Sequence, residues 1–162
     1  MNWYVFYTAS RQEKKCEQSL AVGGFMVFLP LSEQMRQWSD RKKKVKVPLF
    51  PGYIFVKCLA SEVVKISGYR GIVGPVRFGA GYAIAREEEI ESVRILIETG
   101  AQAEISPGLI NRGDMVFVES GPMKGITGIC IMEGGKNYMY IEVTSIQQSI
   151  KFNLPVGQLR KI

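Results

Sequence analysis

Histidine is missing from the 162 residues. Its absence removes the commonest general base, the Cys-His and Ser-His-Asp nucleophile arrangements and the most frequent zinc ligand. Cysteine is scarce: Cys16, Cys58 and Cys130 are odd in number and widely spaced, which fits neither a disulfide framework nor paired metal-ligand motifs. Reduced, packed thiols are expected. No apolar run approaches the roughly 18 residues that a membrane span requires, and Met1-Asn2-Trp3-Tyr4-Val5 enters a strand-like pattern without the charged start and apolar stretch of a signal peptide. A cytoplasmic chain without membrane association is the expectation. A phosphate loop is lacking too, since Gly79-Ala80-Gly81 has neither the third glycine nor its context. Glu87-Glu88-Glu89 is better explained as acidic residues at the positive end of a helix than as a carboxylate site. No catalytic residue, metal ligand or cofactor is therefore expected, and an enzyme is disfavoured.

What the chain has is 46% hydrophobic residues, enough for one ordinary core or two small ones, and a net charge of +6. The charge is uneven: residues 1–100 carry 15 basic and 10 acidic side chains, whereas 101–162 carry 6 and 5. A positive bias confined to one part points to an electrostatic partner for that part, with nucleic acid first among the candidates.

Trp3-Tyr4-Val5-Phe6-Tyr7-Thr8 is aromatic and β-branched, hence a strand. Ser10-Arg11-Gln12-Glu13 has the S-x-x-E form of a capping box and predicts a helix bearing Cys16, Leu20 and Val22, stopped by Gly23-Gly24 before a strand over 25–29. The polar, basic residues 30–47 suggest an extended hairpin tip, and Pro48-Leu49-Phe50-Pro51-Gly52 breaks the chain before a strand over 53–58. A short helix over 61–67 and a short strand Val76-Arg77-Phe78 follow. Ile90, Val93 and Ile97 behind the three glutamates give a helix closed by Gly100, and residues 101–108, with Pro107 and little periodicity, suit a linker. From Arg112 the texture is β, with strands over 114–119, 125–132, 138–144 and 149–152 and turns at Gly121-Pro122, Gly134-Gly135 and Pro155. Strands at that spacing predict a small barrel. The expected architecture is α+β: a first domain over 1–100 with a mixed sheet flanked by helices, a linker over 101–108 and a β-barrel over 109–162.

Three features carry functional information. Residues 36–46 hold Arg36, Arg41, Lys42, Lys43, Lys44 and Lys46 with the single acid Asp40 around Trp38. A charge run of this kind is often only a solvated loop, but an exposed indole among cations suits base stacking or a protein anchor, with salt-sensitive phosphate contacts beside it. In Phe50-Pro51-Gly52-Tyr53-Ile54-Phe55-Val56, alternation throws Tyr53 and Phe55 to one face and Ile54 and Val56 to the other. Either pair can be the one that fills the core; if it is Ile54 and Val56, the aromatic pair offers a docking patch with Phe50. The third feature is Gly113-Asp114 followed by Gly121-Pro122-Met123-Lys124-Gly125, whose glycines suit tight barrel turns and are best explained as architecture.

Together and in this order, Trp3-Tyr4-Val5, the 50–56 strand and the 113–125 segment resemble NusG-type transcription factors along essentially the whole chain. The string from Arg36 to Lys44 with Pro48-Leu49-Phe50-Pro51 is similar to the specialised UpxY paralogues of capsular polysaccharide operons, and Val76-Arg77-Phe78-Gly79 is similar to RfaH. The resemblance implies an NGN domain that binds RNA polymerase at the β′ clamp helices and bridges towards the β subunit, followed by an SH3-like KOW barrel. It implies a monomeric, cytoplasmic, non-enzymatic elongation and antitermination factor. Carried over to this chain, Tyr53 and Phe55, with Phe50 and Tyr4, fall at the polymerase patch, while Trp3, Arg11 and Arg70 fall at or beside the contact with non-template DNA. The stretch Glu62-Val63-Val64-Lys65 stands where RfaH has the His-Thr-Thr segment that meets the β gate loop. Nascent RNA is the alternative ligand of the basic loop, and a ribosomal protein or a termination factor is the partner implied for the KOW domain. A general NusG-like factor and an RNA-binding, ribosome-associated KOW protein are the rival expectations.

Overall fold

The computed structural model describes residues 1–154 and 159–162, so the turn expected at Pro155 lies outside the described residues. The chain divides into two compact units, Met1–Ile84 and Ala85–Ile162. The first contains β1 (Asn2–Thr8), α1 (Glu13–Val22), β2 (Met26–Phe28), β3 (Leu31–Gln37), β4 (Lys42–Pro48), β5 (Tyr53–Cys58), α2 (Val63–Ser67), β6 (Ile72–Pro75), β7 (Arg77–Phe78) and β8 (Gly81–Tyr82), with β9 (Ile84–Ala85) at the boundary. Its main sheet runs β2-β5-β1-β6. β5 is inserted between the two strands of the opening β-α-β and is antiparallel to both. β1 and β6 are antiparallel as well, and β9 pairs with β1 off this path.

Cross-strand register sorts the side chains. Tyr4 lies opposite Val56 and Phe6 opposite Ile54, so these four share one face, which Cys16 and Leu20 of α1 and Val63 and Ile66 of α2 cover. Each such buried aliphatic or aromatic side chain stabilises the unit by about 1.5–3 kcal/mol relative to exposure. The resemblance groups Tyr4 with the docking residues, but Tyr4 is 5% exposed and belongs to this core, on the opposite side of the sheet from Tyr53 and Phe55.

Local chemistry departs from expectation at α1. The helix begins at Glu13 with Gln12 as N-cap and no side-chain capping bond, so Ser10 does not cap it. The Ala9 N–H binds the Gly71 carbonyl, the Gln12 N–H binds the Ala9 carbonyl, and Arg11 takes φ 62°, a turn that leaves Ser10 two residues too early for the box. Cys16 and Leu20, four residues apart, share the buried face, whereas Val22, two residues beyond, points away and is 91% exposed.

The second unit contains α3 (Glu87–Thr99), β10 (Ala103–Pro107), β11 (Asp114–Val118), β12 (Thr127–Glu133), β13 (Lys136–Val143), β14 (Gln148–Asn153) and β15 (Leu159–Lys161). The strands form one sheet in the order β10-β14-β13-β12-β11-β15, antiparallel at each pairing. Met139, Ile141, Val143, Ile150 and Phe152 alternate onto its buried face. Two differences stand out. The expected linker holds a strand, because Ala103 and Ile105 register against Phe152 and Ile150 and Pro107 sits at the end of this edge strand, where a missing N–H is tolerated. And α3, expected to close the first domain, packs within the second unit. The Ser92 hydroxyl accepts from the Thr127 N–H at 3.1 Å, and Oε1 of Glu89 accepts from the Thr144 hydroxyl at 2.6 Å. Periodicity reveals that α3 has a buried face but not which sheet supplies the cover. None of the described helices is long and apolar enough to cross a membrane.

Burial acts on the thiols. Cys58, 1% exposed, is pushed up to about 11 by burial first and then by Glu62, and burial raises Cys16 and Cys130 as well. The folded state therefore holds these protons more tightly than the unfolded chain, whose thiols titrate near pH 8.5. This contribution to stability is complete below that pH and is lost as pH rises through about 11. Melting temperatures measured across pH 8 to 11 are expected to fall over that window, and to fall less in Cys58→Ala.

Candidate nucleic-acid interface and aromatic face

Among the described residues β3 and β4 pair only with each other, in register from Leu31 opposite Pro48 to Gln37 opposite Lys42. At the tip the Trp38 N–H donates to the Arg41 carbonyl at 2.7 Å, closing a turn over Ser39 and Asp40. At the base the Leu49 N–H donates to the Pro30 carbonyl at 2.8 Å, and the Lys14 ammonium of α1 donates to the Lys46 carbonyl at 2.6 Å. Residues 33–44 are exposed throughout, so backbone ladder bonds rather than a core hold this ribbon. Seven residues per strand give it a reach of about 23 Å. Arg36, Trp38, Arg41, Lys42, Lys43, Lys44 and Lys46 are all exposed, as expected, and Trp38 keeps 55% of its surface open. Opposed residues share a face, which puts Trp38, Arg41, Arg36 and Lys43 on one side of the ribbon and Lys42, Lys44 and Lys46 on the other.

Arg11 and Arg70 come together. The Ala9 N–H reaches the Gly71 carbonyl at 2.8 Å and Cys16 Sγ reaches the Arg70 carbonyl at 3.6 Å, so the two loops adjoin and both arginines are exposed. Lys14 links this corner to the foot of the ribbon. Trp3 does not join them. It lies at the far end of β1, 2% exposed, edge-on to Phe28 at 6.4 Å with the Lys57 ammonium 5.8 Å from its ring. A covered indole offers no base a stacking surface, so the expected nucleic-acid role of Trp3 is corrected to packing.

Tyr53 and Phe55 do lie on the sheet face opposite the α1 and α2 core, as Val5 opposite Phe55 and Tyr7 opposite Tyr53 require. Their exposures differ. Phe55 is 1% exposed, tilted against Phe28 at 6.1 Å and edge-on to Phe50 at 6.5 Å, and Phe50 is itself buried. The expectation that Phe50 and Phe55 are open to a partner is thus corrected: rings this close shield one another from water, and dispersion among them favours the packed arrangement. Tyr53 is half-buried and Tyr7 is 42% exposed, with ring centroids 5.4 Å apart. Burial, then the neighbouring Tyr7 phenol, raises the Tyr53 hydroxyl above its ordinary range. On the other flank of Tyr7 stands Gly74, whose missing side chain leaves that edge open. Tyr7 was not singled out in the sequence, although period-two alternation from Trp3 through Val5 places it on this face.

In the second unit Gly113 takes φ 98°, and a Cβ there would stand 2.7–2.9 Å from Ile129, Ile131 and the Cys130 carbonyl. Gly121 and Gly125, also at positive φ, flank Pro122 and the buried Met123, and the Gly125 N–H closes the loop onto the Val118 carbonyl at 2.9 Å. Asp114 pairs with Lys161 at 3.3 Å on the surface. These residues build turns. Beyond them, Lys151 bonds Glu133 at 2.8 Å and lies 4.2 Å from the Tyr138 ring, and its hydrogen bond is the main reason the Glu133 carboxyl is held below the usual carboxylate range.

Comparison with known proteins gives these surfaces a context. The family model described as "Transcription termination factor nusG" matches residues 1–94. The transcription termination/antitermination protein NusG of Halalkalibacterium halodurans is 25% identical over 177 residues, covering 99% of this chain and 98% of its own. The protein of the same name from Deinococcus radiodurans is 26% identical over 155 residues, covering 80% of this chain and 82% of its own. Among solved structures, one titled "Domain interaction in Thermotoga maritima NusG" aligns with 99% of this chain and 97% of its own at 21% identity, with a TM-score of 0.48. With more than half of its length matched by the family model, the chain belongs to the NusG family of transcription termination and antitermination factors.

Proposed function

We propose that the protein binds RNA polymerase through the exposed end of its aromatic face and suppresses pausing or termination while the basic ribbon holds nucleic acid near the transcription fork. The observation that carries this reading is the Tyr7–Tyr53 pair, adjacent rings of which Tyr7 is exposed and Tyr53 half-buried, on a sheet face where Trp3 and Phe55 are covered. Aromatic pairs with a polar tip are the residues that most often anchor protein interfaces. Phe50 and Phe55 then act from beneath, by fixing the tyrosines, and the contact is made to the β′ clamp helices, with the β subunit on the other side of the DNA channel. No bond is made or broken.

The test is binding of the full chain to RNA polymerase, paired with elongation through a terminator. Tyr7→Ala with Tyr53→Ala is expected to weaken binding about tenfold or more and to lower readthrough in step, with little change in melting temperature. Undiminished binding of a folded double variant rejects the patch.

The finer role is specialised: the factor serves capsular or surface polysaccharide operons rather than all genes. Its support is the UpxY-like string of the ribbon and an identity of only 25% to a NusG protein matched along nearly its whole length. Genome-wide occupancy confined to such operons is the expected result, and uniform occupancy of transcribed genes supports the general-factor reading instead. The KOW unit recruits a ribosomal protein or a termination factor; co-purification with ribosomal subunits in place of polymerase would favour the ribosome-associated alternative.

A further inference from the structure

We propose that the β3–β4 ribbon is a receptor for single-stranded RNA, with an unpaired base on Trp38 and phosphates on the cations of both faces. This rests on the nucleic-acid reading of the same ribbon and narrows its ligand.

The first argument is unspent charge. Among the described residues, Arg36, Arg41, Lys42, Lys43, Lys44 and Lys46 enter no ion pair. Arg36 also faces Lys43 directly across the ladder, an arrangement that repels itself until an anion arrives. On β4, Lys42, Lys44 and Lys46 recur at every second residue, roughly 6.7 Å apart, as a row suited to a polyanion laid along the strand.

Trp38 selects the strandedness. Its exposed indole shares a face with Arg36, Arg41 and Lys43, so a base stacked there keeps its phosphates within reach of cations. A base inside a duplex has no free ring face to offer, and a duplex would use the charges alone.

Asp40 selects the sugar. It is the lone acid in the 36–46 segment, stands in the turn beside Trp38 and has no hydrogen bond or ion pair among the described residues. A carboxylate repels phosphate and can only accept hydrogen bonds, and Gln34, opposite Val45 on the Trp38 face, adds an amide oxygen. Ribose brings a 2′-hydroxyl donor at every nucleotide, which deoxyribose lacks.

Fluorescence anisotropy of the full chain with a short unstructured RNA, DNA of the same sequence and an RNA duplex tests the proposal. The RNA single strand is expected to bind tightest. Trp38→Ala is expected to weaken it about tenfold without altering the salt slope. Joint replacement of Lys42, Lys44 and Lys46 by Gln is expected to lower the slope of log affinity against log salt by about 2, and Asp40→Ala to bring RNA and DNA closer together. All these positions are exposed, and circular dichroism checks that the fold is kept. Equal affinity for duplex, equal affinity for DNA, indifference to Trp38→Ala or tighter binding to vesicles of anionic phospholipid would each overturn the proposal. If the lysine variant also binds as the parent does, the broader nucleic-acid reading of the ribbon falls with it.

Discussion

Phe55→Ala is expected to lower the free energy of unfolding by about 3–5 kcal/mol, a large share of the roughly 5–15 kcal/mol that holds an ordinary domain together. The ring is 1% exposed and touches Phe28 and Phe50 in the middle strand of the main sheet, so its removal leaves a cavity bounded by strands that cannot close over it. Urea denaturation followed by far-ultraviolet circular dichroism reads the loss directly. The number decides how functional experiments are designed. An activity defect in Phe55→Ala reports on folding, whereas one in Tyr7→Ala reports on the surface, because Tyr7 keeps 42% of its area in water. A Phe55→Ala protein as stable as its parent would mean that the ring is not packed and would return it to the docking patch.

Gly113→Ala is expected to cost about 2–4 kcal/mol from two additive sources, a left-handed backbone that disfavours any Cβ and an overpacked contact. At φ 98° the new methyl would press on the Cys130 carbonyl as well as on two isoleucine side chains, and a backbone oxygen in a sheet cannot step aside. Gly134 supplies the control: its φ is 57° and no atom lies within 4 Å of where a Cβ would stand, so Gly134→Asn is expected to change stability by less than about 1 kcal/mol. A thermal melt of the two variants separates them by many degrees. If both melt alike, close approach at Gly113 plays no part in holding the barrel turn.

The strands were legible wherever side chains alternate or branch, as in residues 2–8, 53–58 and 136–143, because the period of two survives in the composition. The helix at 87–99 was legible for the same reason, from its acidic start and its Gly100 stop. Three things were hidden. The start of α1 depended on a turn closed by Gly71, some sixty residues away in sequence, which no local capping motif can report. The strand at 103–107 has a single large apolar residue, Ile105, and exists because β14 offers it an edge. And alternation told that Tyr53 and Phe55 share a face but neither which face the helices cover nor how deeply each ring is buried, since cover is decided by distant residues such as Phe28. The ribbon and its cations were visible as a segment; what the sequence withheld was the pairing that divides them between two faces.

The ribbon closes its own ladder, and at its foot the Leu49 N–H bonds the Pro30 carbonyl, Lys14 braces the Lys46 carbonyl and Leu31 packs against the core. Such an appendage can be exchanged for another of different length or charge without asking the globular body to refold. A chimaera made at that joint is therefore expected to keep the melting temperature of the recipient body whatever the length or charge of the graft.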